Sequence, residues 1–208
     1  MGEFVRQDFE RIRDIYEMNP LVQKPENIEG CVWRPTPFEI LEQESLYTLF
    51  MAQNKQLGKD KKILIAGAGD GRRAAYLNRV GFDVYAMEIN PALKDASEDI
   101  IEKLAKEELI NPKTIKVIQG SFLDENVYKS SGIRFSDFTN ISAYLLPRNI
   151  TELGRKIERE SPNGTSFMVL SHTDFKDPEL SLAREAAKRF KAKGCMTHFF
   201  LDTYAKRY

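Results

Sequence analysis

Gly67-Ala68-Gly69-Asp70-Gly71 places glycine at alternate positions. Glycine has no Cβ, so such a loop can turn sharply and let a ligand lie directly on its backbone. Gly67 takes the turn, Gly69 leaves the peptide bare and Gly71 allows tight entry into the following element. A carboxylate stands downstream, since Glu88 lies 17 positions after Gly71. Its two oxygens can accept hydrogen bonds from both hydroxyls of a ribose. Loop and carboxylate together are nucleoside-binding chemistry. The plain alternatives are a structural turn and an exposed glutamate at a strand end.

Spacing excludes related patterns. A dinucleotide fingerprint needs its third glycine at position 72, where the chain has Arg72. No Gly-Lys followed by Ser or Thr comes after the loop, so a phosphate-cradling P-loop is excluded. His172 and His198 share no ligand spacing with a carboxylate or cysteine. Cys31 and Cys195 form no C-x-x-C and read as ordinary thiols. No G-x-S-x-G occurs, so hydrolase chemistry has no support.

A glycine loop becomes a ligand cradle only between a strand and a helix. Ile63-Leu64-Ile65-Ala66 is a short apolar run that ends at the loop, as in a strand buried on both faces. Residues 71–80 follow as a helix. Strands are expected over 82–88, 114–119, 138–144 and 165–170, with helices over 91–106 and 147–160 between them. A helix over 178–193, stopped by Gly194, and one final strand over 196–204 complete the pattern. The alternation predicts an α/β fold, a doubly wound and mostly parallel sheet. Ahead of it, helices over 5–19 and 38–56 flank a proline-rich connector. Residues 1–60 are expected to form a helical cap packed on the domain of residues 61–208.

The 208 residues carry 31 Lys+Arg and 31 Asp+Glu, so nucleic-acid affinity would need a local patch. Hydrophobic residues at 42% and charged residues at 30% suit a globular protein and argue against wholesale disorder. No apolar stretch approaches the ~18 residues of a membrane span. Met1-Gly2-Glu3-Phe4 lacks the basic and apolar regions of a signal peptide, and a cytoplasmic location is expected.

The segment from Ile63 to Gly71 followed by Glu88 resembles the class I S-adenosylmethionine-dependent methyltransferases. The resemblance implies a Rossmann-like fold, S-adenosyl-L-methionine as cofactor and no metal. It implies that Gly67, Ala68, Gly69, Asp70 and Gly71 hold the methionine part, and that Glu88 and the adjacent Ile89 hold the ribose side. Gly120-Ser121-Phe122 looks like the adenine-binding turn, with Ser121 at the amino group and Phe122 on the ring. Ile65 stands where that family usually has an acidic residue for the cofactor's ammonium, leaving Asp70 or backbone carbonyls for the task.

Arg34-Pro35-Thr36-Pro37, Gly120-Ser121-Phe122, Ala143-Tyr144-Leu145-Leu146-Pro147 and Val169-Leu170-Ser171-His172 together resemble small archaeal protein-lysine methyltransferases related to the Dot1 type. This narrower likeness implies Thr36 near the cofactor and a protein lysine as acceptor. It places Asn140, Ser142 and Tyr144 by the substrate, with Tyr144 the candidate catalytic residue at the lip of the acceptor channel. RNA or a small molecule is the alternative acceptor, RNA being carried by the basic run Arg184, Lys188, Arg189, Lys191 and Lys193. A catalytically degenerate regulatory subunit is the non-enzymatic alternative.

Overall fold

Phe9, Ile12 and Tyr16 recur at intervals of three and four, which aligns them on one face of a helix. The computed structural model describes residues 2–19, 27–28, 31–32, 36–58, 60–171, 180–190 and 199–207. In it the three side chains lie buried on α1 (Gly2–Glu17). Two short strands, β1 (Asn27–Ile28) and β2 (Cys31–Val32), pair antiparallel. α2 (Phe38–Gln53) follows and buries Ile40 and Leu41.

From there strands and helices alternate: β3 (Lys62–Ala66), α3 (Arg72–Arg79), β4 (Asp83–Glu88), α4 (Pro91–Lys106), β5 (Ile115–Gln119), α5 (Glu125–Ser130), β6 (Asn140–Ala143), α6 (Pro147–Glu160) and β7 (Ser166–Ser171). Two further strands, β8 (Ala183–Phe190) and β9 (Phe199–Ala205), close the chain. One sheet takes the order β5-β4-β3-β6-β7-β9-β8. β3 to β7 are parallel, and β9 runs antiparallel between β7 and β8.

Side chains alternate across a strand, so a sheet covered on both faces needs apolar residues at every position. Ile63 and Ile65 enter one core with α1, α2, α3 and α4, whereas Leu64 and Ala66 enter the other with α5 and α6. That is why the apolar run is continuous. Pro91 and Pro147 open α4 and α6, where a missing N–H costs nothing. Asn90 caps α4 by accepting from the Leu93 N–H at 3.1 Å. The short α5 carries no periodic signal in the sequence; Asp124 starts it by accepting from the Asn126 N–H at 2.9 Å.

One expectation is overturned. The segment expected as a helix over 178–193 contains strand β8. Its Ala, Arg, Glu and Lys are good helix formers, but pairing with β9 overrides that preference. Charges suit this position, because an exposed sheet edge is guarded by them. Among the described residues after β7 there are two strands rather than one, and none of them forms a late basic helix. Arg184 donates to Asp202 at 3.1 Å, Lys188 lies over Tyr47 and Arg189 over Phe200. Lys191, Lys193, Cys195, His172 and His198 lie outside the described residues. Among the described residues, no helix is long and apolar enough to cross a membrane.

α1 is part of the core. Phe9 stacks on Tyr76 of α3 with centroids 4.5 Å apart, and the Tyr76 hydroxyl donates to the Phe9 carbonyl at 3.0 Å. On the opposite face, Lys156 is almost fully buried between Glu125 and Glu160, over the rings of Tyr128 and Phe135. Its hydrogen bond holds the Glu125 carboxyl below the usual carboxylate range.

Phe9→Ala is expected to cost about 3–5 kcal/mol in urea unfolding, the scale for deleting a buried aromatic ring. No loss of stability would mean that α1 is dispensable to the fold. Because Glu125 titrates low in the folded chain, its contribution is present above the unfolded carboxylate range and lost as pH falls through the lowered value. Glu125→Gln is expected to reduce stability at neutral pH and leave it unchanged at acid pH. Unfolding curves at several pH values check this.

Candidate functional site

In an open parallel sheet, a crevice forms at the carboxyl ends of the strands where the winding reverses. Here β3 is that strand, because the chain moves out through β4 to β5 and returns to β6 on its other side. The glycine loop leaves the carboxyl end of β3. Gly67, Gly69 and Gly71 have φ of 70°, 59° and 78°, a region that side-chain-bearing residues rarely adopt. Two of them are also fixed by packing. A Cβ on Gly67 would meet Leu145 at 2.4 Å, and one on Gly71 would meet Ser97 Oγ at 2.1 Å.

Glu88 ends β4 beside this loop and is 5% exposed. Its Oε2 accepts from the Gly69 N–H at 2.7 Å and its Oε1 from the Asn90 N–H at 2.9 Å. An ionised carboxylate has about four acceptor positions, so each oxygen keeps one for a further donor. The Glu88 carbonyl accepts from the Gly120 N–H at 2.9 Å, which fastens the turn after β5 to the same residue.

That turn holds Ser121 and Phe122, both half-buried. Ser121 Oγ accepts from the Leu123 N–H at 3.2 Å, leaving its own proton to donate. The Phe122 carbonyl accepts from the Tyr128 hydroxyl at 2.7 Å. Ile89, Leu123 and Leu146 follow the ends of β4, β5 and β6 and are 52%, 38% and 42% exposed. Ile89 and Leu146 thus stand exposed on either side of β3, as suits contact with a flat apolar ligand, whereas Leu123 lines a cleft with Glu125, Arg155 and Lys156. Tyr144, just past β6, is half-buried with its ring 6.3 Å from that of Phe199.

Three residues do not stand as the sequence suggests. Asp70 is no spare anchor for an ammonium. Arg72 takes both of its oxygens, from Nε at 3.0 and 2.9 Å and from Nη2 at 2.6 Å. Asn140 begins β6, at the end of the strand away from the glycine loop. It clamps the chain there, accepting from the Gly58 N–H at 2.9 Å and donating to the Asp60 and Lys62 carbonyls at 2.8 and 3.1 Å. Every polar group of its side chain is thereby committed to the fold. Ser142 is fully buried within β6, level with Ile65 of β3, rather than at the rim.

The residues missed are Arg72, Arg73 and their partners. Cations in the first turn of a helix oppose its dipole, and Arg72-Arg73 opening α3 was the readable signal that buried carboxylates compensate them. Arg72 lies 4.6 Å from the Phe38 ring centroid and 5.6 Å from that of Tyr16, and it donates to the Thr36 carbonyl at 3.3 Å. Thr36 is thereby held near the loop. Burial, and after it the Asp70 carboxylate, pushes the Tyr16 hydroxyl well above its ordinary range. It stays protonated and donates weakly to the Asp70 carbonyl at 3.4 Å. Arg73 pairs with Glu44 of α2.

Arg72→Met leaves the Asp70 carboxylate buried without its partner, which is expected to cost about 3–5 kcal/mol. Adding Asp70→Asn should recover part of the loss in denaturant unfolding. A loss that grows instead would show that the pair does not act as a unit.

No family model and no curated protein matches the chain. Solved structures do. An RNA methyltransferase from Salinibacter ruber, in complex with S-adenosyl-L-homocysteine, superposes with a TM-score of 0.58 at 17% identity over 84% of this chain and 94% of its own. A putative O-methyltransferase from Klebsiella pneumoniae gives 0.63 at 12% identity over 96% and 90%. The O-methyltransferase from Bacillus cereus, in complex with SAH, gives 0.62 at 15% identity over 96% and 91%. The chain shares with them a Rossmann-like α/β fold.

Proposed function

We propose that the chain is a methyltransferase that uses S-adenosyl-L-methionine. The observation that carries this reading is Glu88, a buried carboxylate fixed by the glycine loop and retaining an acceptor position on each oxygen. The cofactor fits the residues present. Glu88 would receive the two ribose hydroxyls, Ser121 an adenine edge, and Ile89 and Phe122 the faces of the base. The similar structures crystallised with S-adenosylhomocysteine support the same choice.

When bound, the cofactor supplies an electrophilic methyl group for in-line displacement. The protein's part is alignment and exclusion of water. Leu145 lies against Gly67 and packs on the core under α5 and α6, whereas the half-buried Tyr144 packs on the core under α1 to α4. A protein lysine is the acceptor we propose, on the sequence segments around Thr36 and Tyr144. Its amine must lose a proton before attack, which an apolar, poorly hydrated channel favours. The Tyr144 ring at the channel mouth would favour a cation before that loss. RNA is the second acceptor, on the likeness to the Salinibacter ruber RNA methyltransferase.

Calorimetry with S-adenosylhomocysteine should give saturable binding, and Glu88→Ala should weaken it by about 1.5–3 kcal/mol, the scale of hydrogen bonds to a charged group. No heat in the wild type would remove the proposal. With radiolabelled methyl donor and cell extract, label should enter protease-sensitive material. Nuclease-sensitive label would move the acceptor to RNA, and binding without transfer would favour a regulatory subunit.

A further inference from the structure

A buried ion pair normally satisfies itself fork to fork, with two oxygens facing two nitrogens. Glu44 and Arg73 do not. Both Arg73 Nε and Nη2 donate to the single oxygen Oε1 of Glu44. Glu44 Oε2 and Arg73 Nη1 have no partner among the described residues, although Glu44 is 1% exposed and Arg73 5%. Buried hydroxyls, among them Ser45 Oγ on α2, Ser97 Oγ on α4, Ser142 Oγ on β6 and Thr203 Oγ1 on β9, are also unpartnered there. An unmet polar atom out of water costs about 1–3 kcal/mol, and more when charged. On this ion pair one such acceptor and one such donor, both charged, point to a ligand.

Their place in the fold says which one. Arg73 is the second residue of α3, two positions beyond Gly71, and side chains on a helix tilt toward its N-terminus, here toward the loop. Ser142 is level with Ile65, two residues before Gly67, and Ile65 shares its core with Ile40 and Leu41 of α2. The unmet edge of the Glu44–Arg73 pair therefore belongs to the side of the sheet that α2 and α3 cover, next to the glycine loop. That edge comprises one anionic acceptor and one cationic donor. A group carrying an ammonium and a carboxylate on one carbon is complementary to that set. Asp70, the nearest acid in sequence, is unavailable because Arg72 occupies it.

We propose that Glu44 and Arg73 bind the α-amino-acid end of the cofactor, Glu44 Oε2 accepting from the ammonium and Arg73 Nη1 donating to the carboxylate. The proposal rests on the methyltransferase reading above. It gives the amino-acid end a carboxylate from α2, where β3 offers only Ile65.

The test compares two nucleosides by calorimetry on the whole chain: S-adenosylhomocysteine, which has the amino-acid end, and 5′-methylthioadenosine, which lacks it. The wild type should prefer the first by about 10- to 100-fold, the scale of charge-assisted hydrogen bonds. Glu44→Gln with Arg73→Met removes both charges together and should abolish that preference, leaving methylthioadenosine affinity within about threefold. Retained methylthioadenosine binding also reports that the fold is intact. If the double variant does not fold, Glu44→Asp keeps the charge but shortens its reach, and it should lose most of the preference. A preference unchanged in the variant that folds, or absent in the wild type, overturns the assignment of Glu44 and Arg73 alone. Failure of the wild type to bind either nucleoside overturns the cofactor reading instead.

Discussion

A single carboxylate organises the crevice. Glu88 holds the glycine loop through the Gly69 N–H, the start of the next connection through the Asn90 N–H, and the turn after β5 through its own carbonyl. Three loops from three adjacent strands thus converge on one residue. The arrangement works because β3, β4 and β5 are parallel and in register, so that their carboxyl ends lie side by side. The carboxylate is both a structural keystone and an acceptor with capacity to spare.

Around it the chain solves a charge problem in an unusual way. Two arginines open α3, where the dipole disfavours them, and both are buried. Each is compensated by a carboxylate, Asp70 from the loop itself and Glu44 from α2. The first pair is saturated and holds the loop in shape. The second is saturated on one edge only. One pair is finished architecture and the other is half of an interaction.

Much of this was legible in the sequence. The apolar run Ile63–Ala66, the alternate glycines and the acidic end of the next strand specify the crevice, because each answers a local demand of strand, turn or acceptor. Pro91 and Pro147 mark helix starts for an equally local reason. What was not legible depended on long-range pairing. Ala183–Phe190 has the composition of a helix and becomes a strand only because β9 is beside it. Asn140 looks like a polar residue near a site until Gly58, Asp60 and Lys62 are seen to consume it. The long-range partners of Arg72 and Arg73, the Thr36 carbonyl and Glu44, lie 36 and 29 residues earlier, where no motif links them.

The seating of Arg72 bears on how such a chain could be recombined. Its guanidinium touches the loop through Asp70, α1 through the Tyr16 ring, and the start of α2 through Phe38 and Thr36. A chimera that joined this sheet to a foreign amino-terminal segment would keep the Arg72–Asp70 pair but lose the rings and the carbonyl that seat it. Only a crossover that carries Tyr16, Thr36 and Phe38 together with the loop would keep that seat whole.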